Sequence, residues 1–200
     1  MKKDFSFYEF VGIIVPSTIL LYGIQVIFEF VYQKQLVDFS KIGETAIFIV
    51  ICYGVGHILQ SLGNIFESIV WYIFGGMPTN WLTKKNRFGK TLFDNPLNQR
   101  IEDKVKLKFG AGINDYGRLT YNFIFQKEKT ARIDIFNGNY SLFRGLSISF
   151  LLMMVTCLYF FDWKIFLVMT VPFALSVKRM IRFAKYYATE TYSTFFNLAD

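Results

Sequence analysis

The sequence predicts an all-α integral membrane protein with four transmembrane helices, and three observations support this fold class. Hydrophobic residues make up 53% of the 200 residues, and Phe alone occurs 24 times. The apolar residues are gathered into runs, several of them near the roughly 20 residues that a helix needs to cross a bilayer. The net charge of +7 lies mostly between those runs, a pattern typical of membrane topology rather than of a soluble basic surface. We therefore predict a single membrane domain over residues 1–200.

The first two predicted spans cover residues 10–32 and 46–70. At about 1.5 Å per residue, the first run is long enough to cross a hydrocarbon core of about 30 Å. Because Pro16 removes one backbone hydrogen bond, we expect this helix to bend near Gly12, with neighbouring groups repairing the gap. The helical pattern of the second span continues to Gly75, a natural stop, so this helix must be longer than the bilayer core.

Residues 77–140 form the one substantial polar segment, with 12 Lys and Arg against 6 Asp and Glu. We predict a small basic helical layer on the cytoplasmic side. Asn95 is expected to be the N-cap of a short helix, with Pro96 in its first turn and Gly110 at its end. Further helical patterns follow, and the last of them continues into the third span. About sixty residues are too few to build a large independent core.

The third and fourth predicted spans, residues 142–161 and 163–178, form a hairpin. The strictly apolar part of the fourth span is short, so a re-entrant pair is the alternative to two full crossings. The tail, residues 181–200, alternates aromatic and polar residues and is expected to lie in the membrane interface. With both termini in the cytoplasm, 19 Lys and Arg are inside and 3 outside, which follows the positive-inside rule.

The second span holds the only histidine and a stripe of polar residues. Read as a helix at about 100° per residue, it collects on one face Tyr53, His57, Gln60, Ser61, Asn64 and Glu67, with Ser68 at the end. Cys52, Gly56 and Gly63 fall on an adjacent face, where small residues favour close helix packing. Hydrocarbon cannot satisfy polar side chains, so we expect the stripe to face protein or water, and we predict a homo-oligomer.

Three interpretations of the stripe compete. It can be a seam of interhelical hydrogen bonds, each contributing on the order of 1 kcal/mol, or the water-accessible lining of an oligomeric pore; these two are compatible. The third is an intramembrane hydrolase or lipid-modifying enzyme using His57 and Ser61. Glu67 is about 15 Å along the axis from His57, too far to orient the imidazole, and no nucleophile elbow or phosphate loop is present. We therefore predict a protein that is not an enzyme.

The basic residues of the middle segment also have two interpretations. The first is attraction to the anionic lipid surface. The second is docking of a soluble partner or of RNA, but aromatic residues that could stack on bases are sparse, so nucleic acid is not an expected partner. The scattered cysteines and single histidine give no metal-ligand spacing, and we predict no metal or cofactor. The basic residues concerned are Lys84, Lys85, Arg87, Lys90, Lys104, Lys106 and Lys108.

Three stretches carry a resemblance to a known family. They are FSFYEFVGIIVPS near the start, YGVGHILQSLGNIFE in the second span, and GGMPTNWL after it. They are similar to small four-span membrane proteins of bacterial antiviral defence loci, the accessory proteins encoded beside type VI RNA-guided CRISPR nucleases. The resemblance implies an inner-membrane component that modulates or executes antiviral immunity by perturbing the membrane or recruiting a soluble defence effector. No arginine stands five residues before His57, so the Arg-x4-His motif of ribonucleases is missing.

Overall fold

A computed structural model of the chain describes residues 10–33, 42–160 and 163–199. In these ranges the chain is helical and contains no strand, which confirms the all-α prediction. A π-helical turn leads into the first helix, and a short 3₁₀ helix follows the second. The elements are the π turn Phe10–Ile14, α1 Val15–Tyr32, α2 Ile42–Phe74, the 3₁₀ helix Pro78–Leu82, α3 Asn95–Phe109, α4 Tyr116–Gln126, α5 Ala131–Tyr159 and α6 Trp163–Leu198.

Three segments of the described chain are long and apolar enough to cross a membrane: Phe10–Tyr32, Thr45–Leu82 and Ala131–Tyr159. They contain the first two predicted spans and nearly all of the third, and they indicate a membrane protein. The predicted fourth span, residues 163–178, lies in the first half of α6. This helix is not among the three, so a fourth crossing stays a prediction.

Packing divides the chain into two compact units. The first is drawn from Met1–Phe66 and Gly138–Met180, and the second from Glu67–Asn137 and Ile181–Asp200. α2, α5 and α6 each continue from one unit into the other. The first unit therefore contains parts of all four helices that the sequence predicts to span the membrane. Its buried core consists of Leu20, Ile27, Leu59, Ile148, Met153 and Cys157.

The second unit has a core of its own, which the sequence did not predict. α3 contributes Ile101 and Val105, and the end of α6 contributes Tyr192 and Phe195, all of them fully buried or nearly so. The Tyr192 hydroxyl also donates a hydrogen bond to the Thr79 carbonyl, at 2.8 Å. The tail expected in the membrane interface is therefore helical and packed. Its aromatic side chains complete a core that the middle segment could not build alone.

Two helix starts can be compared with the sequence predictions. The π turn, Phe10–Ile14, lies immediately before α1 and includes Gly12, the position near which a bend was predicted; the bend itself stays a prediction. α3 begins one residue earlier than predicted: Asp94, not Asn95, is the extended N-cap residue. A proline is tolerated in the first turn of a helix because its missing N–H has no intrahelical partner there. The predicted end is correct, since Gly110 follows the helix with φ +94°.

Candidate functional site

The polar stripe of α2 is divided between the surface and the interior of the first unit. Tyr53, His57, Ser61 and Asn64 are exposed, whereas Gln60 is half-buried. The division follows from helix geometry. Gln60 lies on the side of the stripe that borders the buried small residues, and the exposed four lie farther round the helix.

On the exposed part of the stripe, His57 contacts Tyr53 and Ser61. The ring of His57 packs edge-on against Tyr53, with 4.7 Å between ring centroids. The Ser61 hydroxyl donates to the backbone carbonyl of His57, at 3.1 Å, rather than to its imidazole. In this arrangement His57 and Ser61 do not form a nucleophile–base pair. Glu67 is half-buried and lies ten residues, about 15 Å, along the same helix from His57, too far to orient its imidazole.

Gln60 connects three helical segments of the first unit. In an α-helix the carbonyl of Gly12 would accept the N–H of residue 16, but Pro16 has none. The side-chain nitrogen of Gln60 donates to the Gly12 carbonyl instead. The side-chain oxygen of Gln60 accepts a hydrogen bond from the guanidinium of Arg144 on α5. One amide thus supplies the donor that proline removes and a neutral partner for a cation in an apolar helix.

The small residues predicted to pack closely do so inside the chain. Gly56 faces the π turn, where an added Cβ would lie 2.6 Å from the Ile13 carbonyl oxygen. At Gly63 an added Cβ would lie 3.2 Å from the Arg144 side chain. Cys52 is buried, and its sulfur accepts a hydrogen bond from the Thr18 hydroxyl, at 3.5 Å. These contacts fill the face of α2 beside Gln60 with the chain's own residues.

Arg144 on α5 is a residue of this site that no sequence pattern singled out. Its guanidinium lies 5.7 Å from the centroid of the Tyr140 ring, a cation–π distance. Together with the bond to Gln60 and the packing on Gly63, this fixes the side chain. An arginine inside a candidate span is the signal that could have identified it, because such residues are expensive unless paired.

The structure separates the predicted basic residues into two groups. On α3, Lys104 donates to the Phe196 carbonyl at 2.9 Å, Lys106 pairs with Glu102 at 2.5 Å, and Lys108 lies 5.1 Å from the centroid of the Phe123 ring. The bond to Glu102 is the main cause of a raised Lys106 pKa. The other group lies in the loop before α3 and is exposed. It comprises Lys84, Lys85, Arg87 and Lys90.

Tyrosines of the second unit are held in their neutral form. Burial, followed by a hydrogen bond to Asp134 at 2.8 Å, raises the pKa of Tyr121. Burial is also the first cause of the raised pKa of Tyr187 and of Tyr192. The hydroxyls of Tyr121 and Tyr192 donate hydrogen bonds, to Asp134 and to the Thr79 carbonyl.

The part of the chain that the structure describes contains no group of three or more His, Cys, Asp or Glu residues able to hold a metal ion. Comparison with protein-family models, with curated proteins and with solved structures gives no match to this chain. The resemblance to accessory proteins of type VI CRISPR loci accordingly stays a prediction.

Proposed function

We propose that this chain is a non-enzymatic membrane protein whose copies associate through the exposed polar stripe of α2. The observation that supports the proposal is the exposure of Tyr53 and His57 on a helix apolar enough to span a bilayer. A polar group left in hydrocarbon without a partner costs on the order of several kcal/mol. A second copy of the helix, or water held between copies, removes that cost.

We expect Tyr53 and His57 to find their partner in another copy, because the neighbouring face of α2 already packs within the chain. Gly56 and Gly63 pack against Ile13 and Arg144 of the same chain. Cyclic symmetry would set identical stripes side by side about one axis. His57 and Ser61 would then meet their own copies, either as a dry hydrogen-bonded seam or as the lining of a water-filled pore.

We further propose four crossings of a bacterial inner membrane with both termini in the cytoplasm. The start of α6 packs on the core of the first unit through Ile165 and Phe166, which supports its crossing beside α1, α2 and α5. The second unit holds 14 of the 22 Lys and Arg, which supports a cytoplasmic location for it. There it could recruit a soluble effector, and the resemblance suggests that the setting is antiviral defence of the CRISPR type.

The alternative function, an intramembrane hydrolase or lipid-modifying enzyme, has less support. It requires the Ser61 hydroxyl to donate to the His57 imidazole, whereas that hydroxyl bonds to the backbone. It also requires a third group to orient the imidazole, and Glu67 is too far along the helix to do so.

Disulfide crosslinking in membranes tests the proposed association. Cysteines replace His57 and Asn64 on the stripe, and matched controls replace Ile58 and Ile65. Each control residue is the next one along α2, so it lies at nearly the same depth but about 100° round the helix. All four positions are exposed. We expect His57→Cys and Asn64→Cys to give a covalent dimer on oxidation, and the two isoleucine variants to stay monomeric.

The unmodified protein is the background control, because Cys52 and Cys157 are both buried. Oxidation is carried out in the native membrane, before detergent, so that copies keep their arrangement. Equal crosslinking at all four positions would indicate random collision. Stronger crosslinking at the isoleucines would mean that the copies meet through the apolar face, and either result would contradict the proposal.

A further inference from the structure

We infer that the loop between the 3₁₀ helix and α3 binds the phosphate headgroups of anionic lipids. Residues 84–90 read KKNRFGK, with four basic residues and no acidic one. All four basic side chains are exposed. The lysines of α3 contact backbone, carboxylate or aromatic groups of the second unit. The four side chains of the loop are exposed, and Lys85 lines a surface pocket that Glu102 and Asp103 also line.

Asn86 gives the loop a fixed shape. Its side chain is buried, and its carbonyl oxygen accepts hydrogen bonds from the N–H groups of Phe88 at 3.0 Å and Lys90 at 2.9 Å. Its own N–H donates to the Lys90 carbonyl, at 2.9 Å. A loop ordered before binding loses less entropy when a ligand arrives. The backbone that carries the four cations is therefore ordered before a ligand binds.

The loop is fastened to the end of α2. The N–H of Arg87 donates to the carbonyl of Phe74, the last residue of that helix, at 3.0 Å. Gly75, with φ +80°, allows this approach, since an added Cβ would lie 2.8 Å from the Arg87 nitrogen. The ring of Phe88 packs edge-on against Phe74 at 5.7 Å, yet remains 64% exposed. The loop that carries the cations therefore lies beside the C-terminal end of α2.

The exposed phenylalanine among the cations selects a lipid over other phosphate ligands. Exposed apolar side chains of α2 continue to Tyr72 and Ile73, next in sequence to Phe74, whose ring Phe88 contacts. At a membrane interface the ring can enter the acyl boundary while the cations meet phosphates. Binding of a free phosphate ion would not require an exposed aromatic ring. RNA would need several stacking aromatics, and Phe93, the loop's next ring, is half-buried.

Lipid preference of the full-length protein tests the inference. Native mass spectrometry in detergent compares binding of phosphatidylglycerol with phosphatidylcholine. One cation near an anionic surface changes the affinity for the lipid by up to about fivefold. With four such cations, we expect the protein to bind phosphatidylglycerol at least about tenfold more tightly than phosphatidylcholine. The variant K84Q/K85Q/R87Q/K90Q should reduce this preference for phosphatidylglycerol to below about twofold. The control R100Q/R118Q/K127Q/K129Q removes four exposed charges of the same unit and should keep it.

Loss of the preference in both variants, or in neither, would overturn the inference. Competing ligands identify the source of the phosphate: displacement of the lipid by inorganic phosphate or by an RNA oligonucleotide at equal concentration would also overturn it.

A second measurement does not depend on removing charge. A fluorophore on Phe88→Cys in liposomes should be quenched by headgroup-labelled nitroxide lipid more strongly than one on Asn122→Cys. Equal quenching would refute the membrane contact. Neither result depends on self-association through α2.

Discussion

Replacing Gln60 with leucine should destabilise the first unit, and replacing Pro16 with alanine should reduce the effect. Gln60 is needed because proline cannot donate to the Gly12 carbonyl. Alanine at position 16 restores that N–H, and the carbonyl regains its own helical partner. The two substitutions are therefore expected to be coupled, although residues 16 and 60 are far apart in sequence.

The expected size follows from the two hydrogen bonds that Gln60 makes, one to Gly12 and one with Arg144. Side-chain hydrogen bonds between membrane helices average about 0.6 kcal/mol and reach about 1.7 kcal/mol. An unpaired buried partner adds to the cost, so Gln60→Leu should lower the free energy of unfolding by about 2 kcal/mol. With Pro16→Ala present, the loss should shrink by about 0.5–1 kcal/mol, because only the bond with Arg144 is still lost.

Unfolding in mixed micelles, followed by circular dichroism as SDS is added, measures the four proteins of this double-mutant cycle. The control cycle pairs Pro16→Ala with Gln25→Leu. Gln25 donates to Glu29 on the same helix, at 2.9 Å, and does not contact Gly12, so its effect should be additive with that of Pro16→Ala. Additivity within about 0.3 kcal/mol in the Gln60 cycle would refute the repair of the proline gap.

Two further predictions concern topology and conduction. Reporter fusions at Lys41 and Trp163 should be periplasmic and those at Lys106 and Asp200 cytoplasmic; a periplasmic signal at Asp200 would rule out the fourth crossing. If copies of the stripe line a water-filled pore, ion flux through proteoliposomes should differ between the wild type and His57→Gln, since residue 57 would then be part of the pore lining. Equal flux through both proteins would leave the stripe as a dry seam.

Much of the first unit could be predicted from sequence because the bilayer imposes length and periodicity. The run from Phe10 to Tyr32 matches a helical segment at both ends, and Gly75, with positive φ, follows the last residue of α2. Periodicity also placed the small residues of α2 on a separate face from the polar stripe. The bond between Gln60 and Arg144 was not predictable, since the two residues are 84 positions apart and no local pattern connects them.

The second unit was predicted less well because its core is assembled from distant segments. The pattern that reveals the tail as a packed helix was present: Met180, Ala184, Ala188, Tyr192 and Phe195 recur every three or four residues, and all are buried. Polar residues between aromatic ones obscured it and suggested an interfacial tail. The contacts of the basic residues of α3 were not predicted either. The i, i+4 spacing of Glu102 and Lys106 is a local signal that could have identified their pairing.

The position of Gln60 separates folding from assembly in this protein. Its amide is used within the chain, to repair a helix and to pair with a cation, whereas His57 and Ser61, one turn or less away, point outward. Changes at Gln60 should therefore lower stability in the isolated monomer. Changes at His57 or Ser61 should leave the monomer intact and act on association alone. Neighbouring residues of one helix would thus have different phenotypes, because helix geometry directs one toward the chain's own helices and the others toward a second copy.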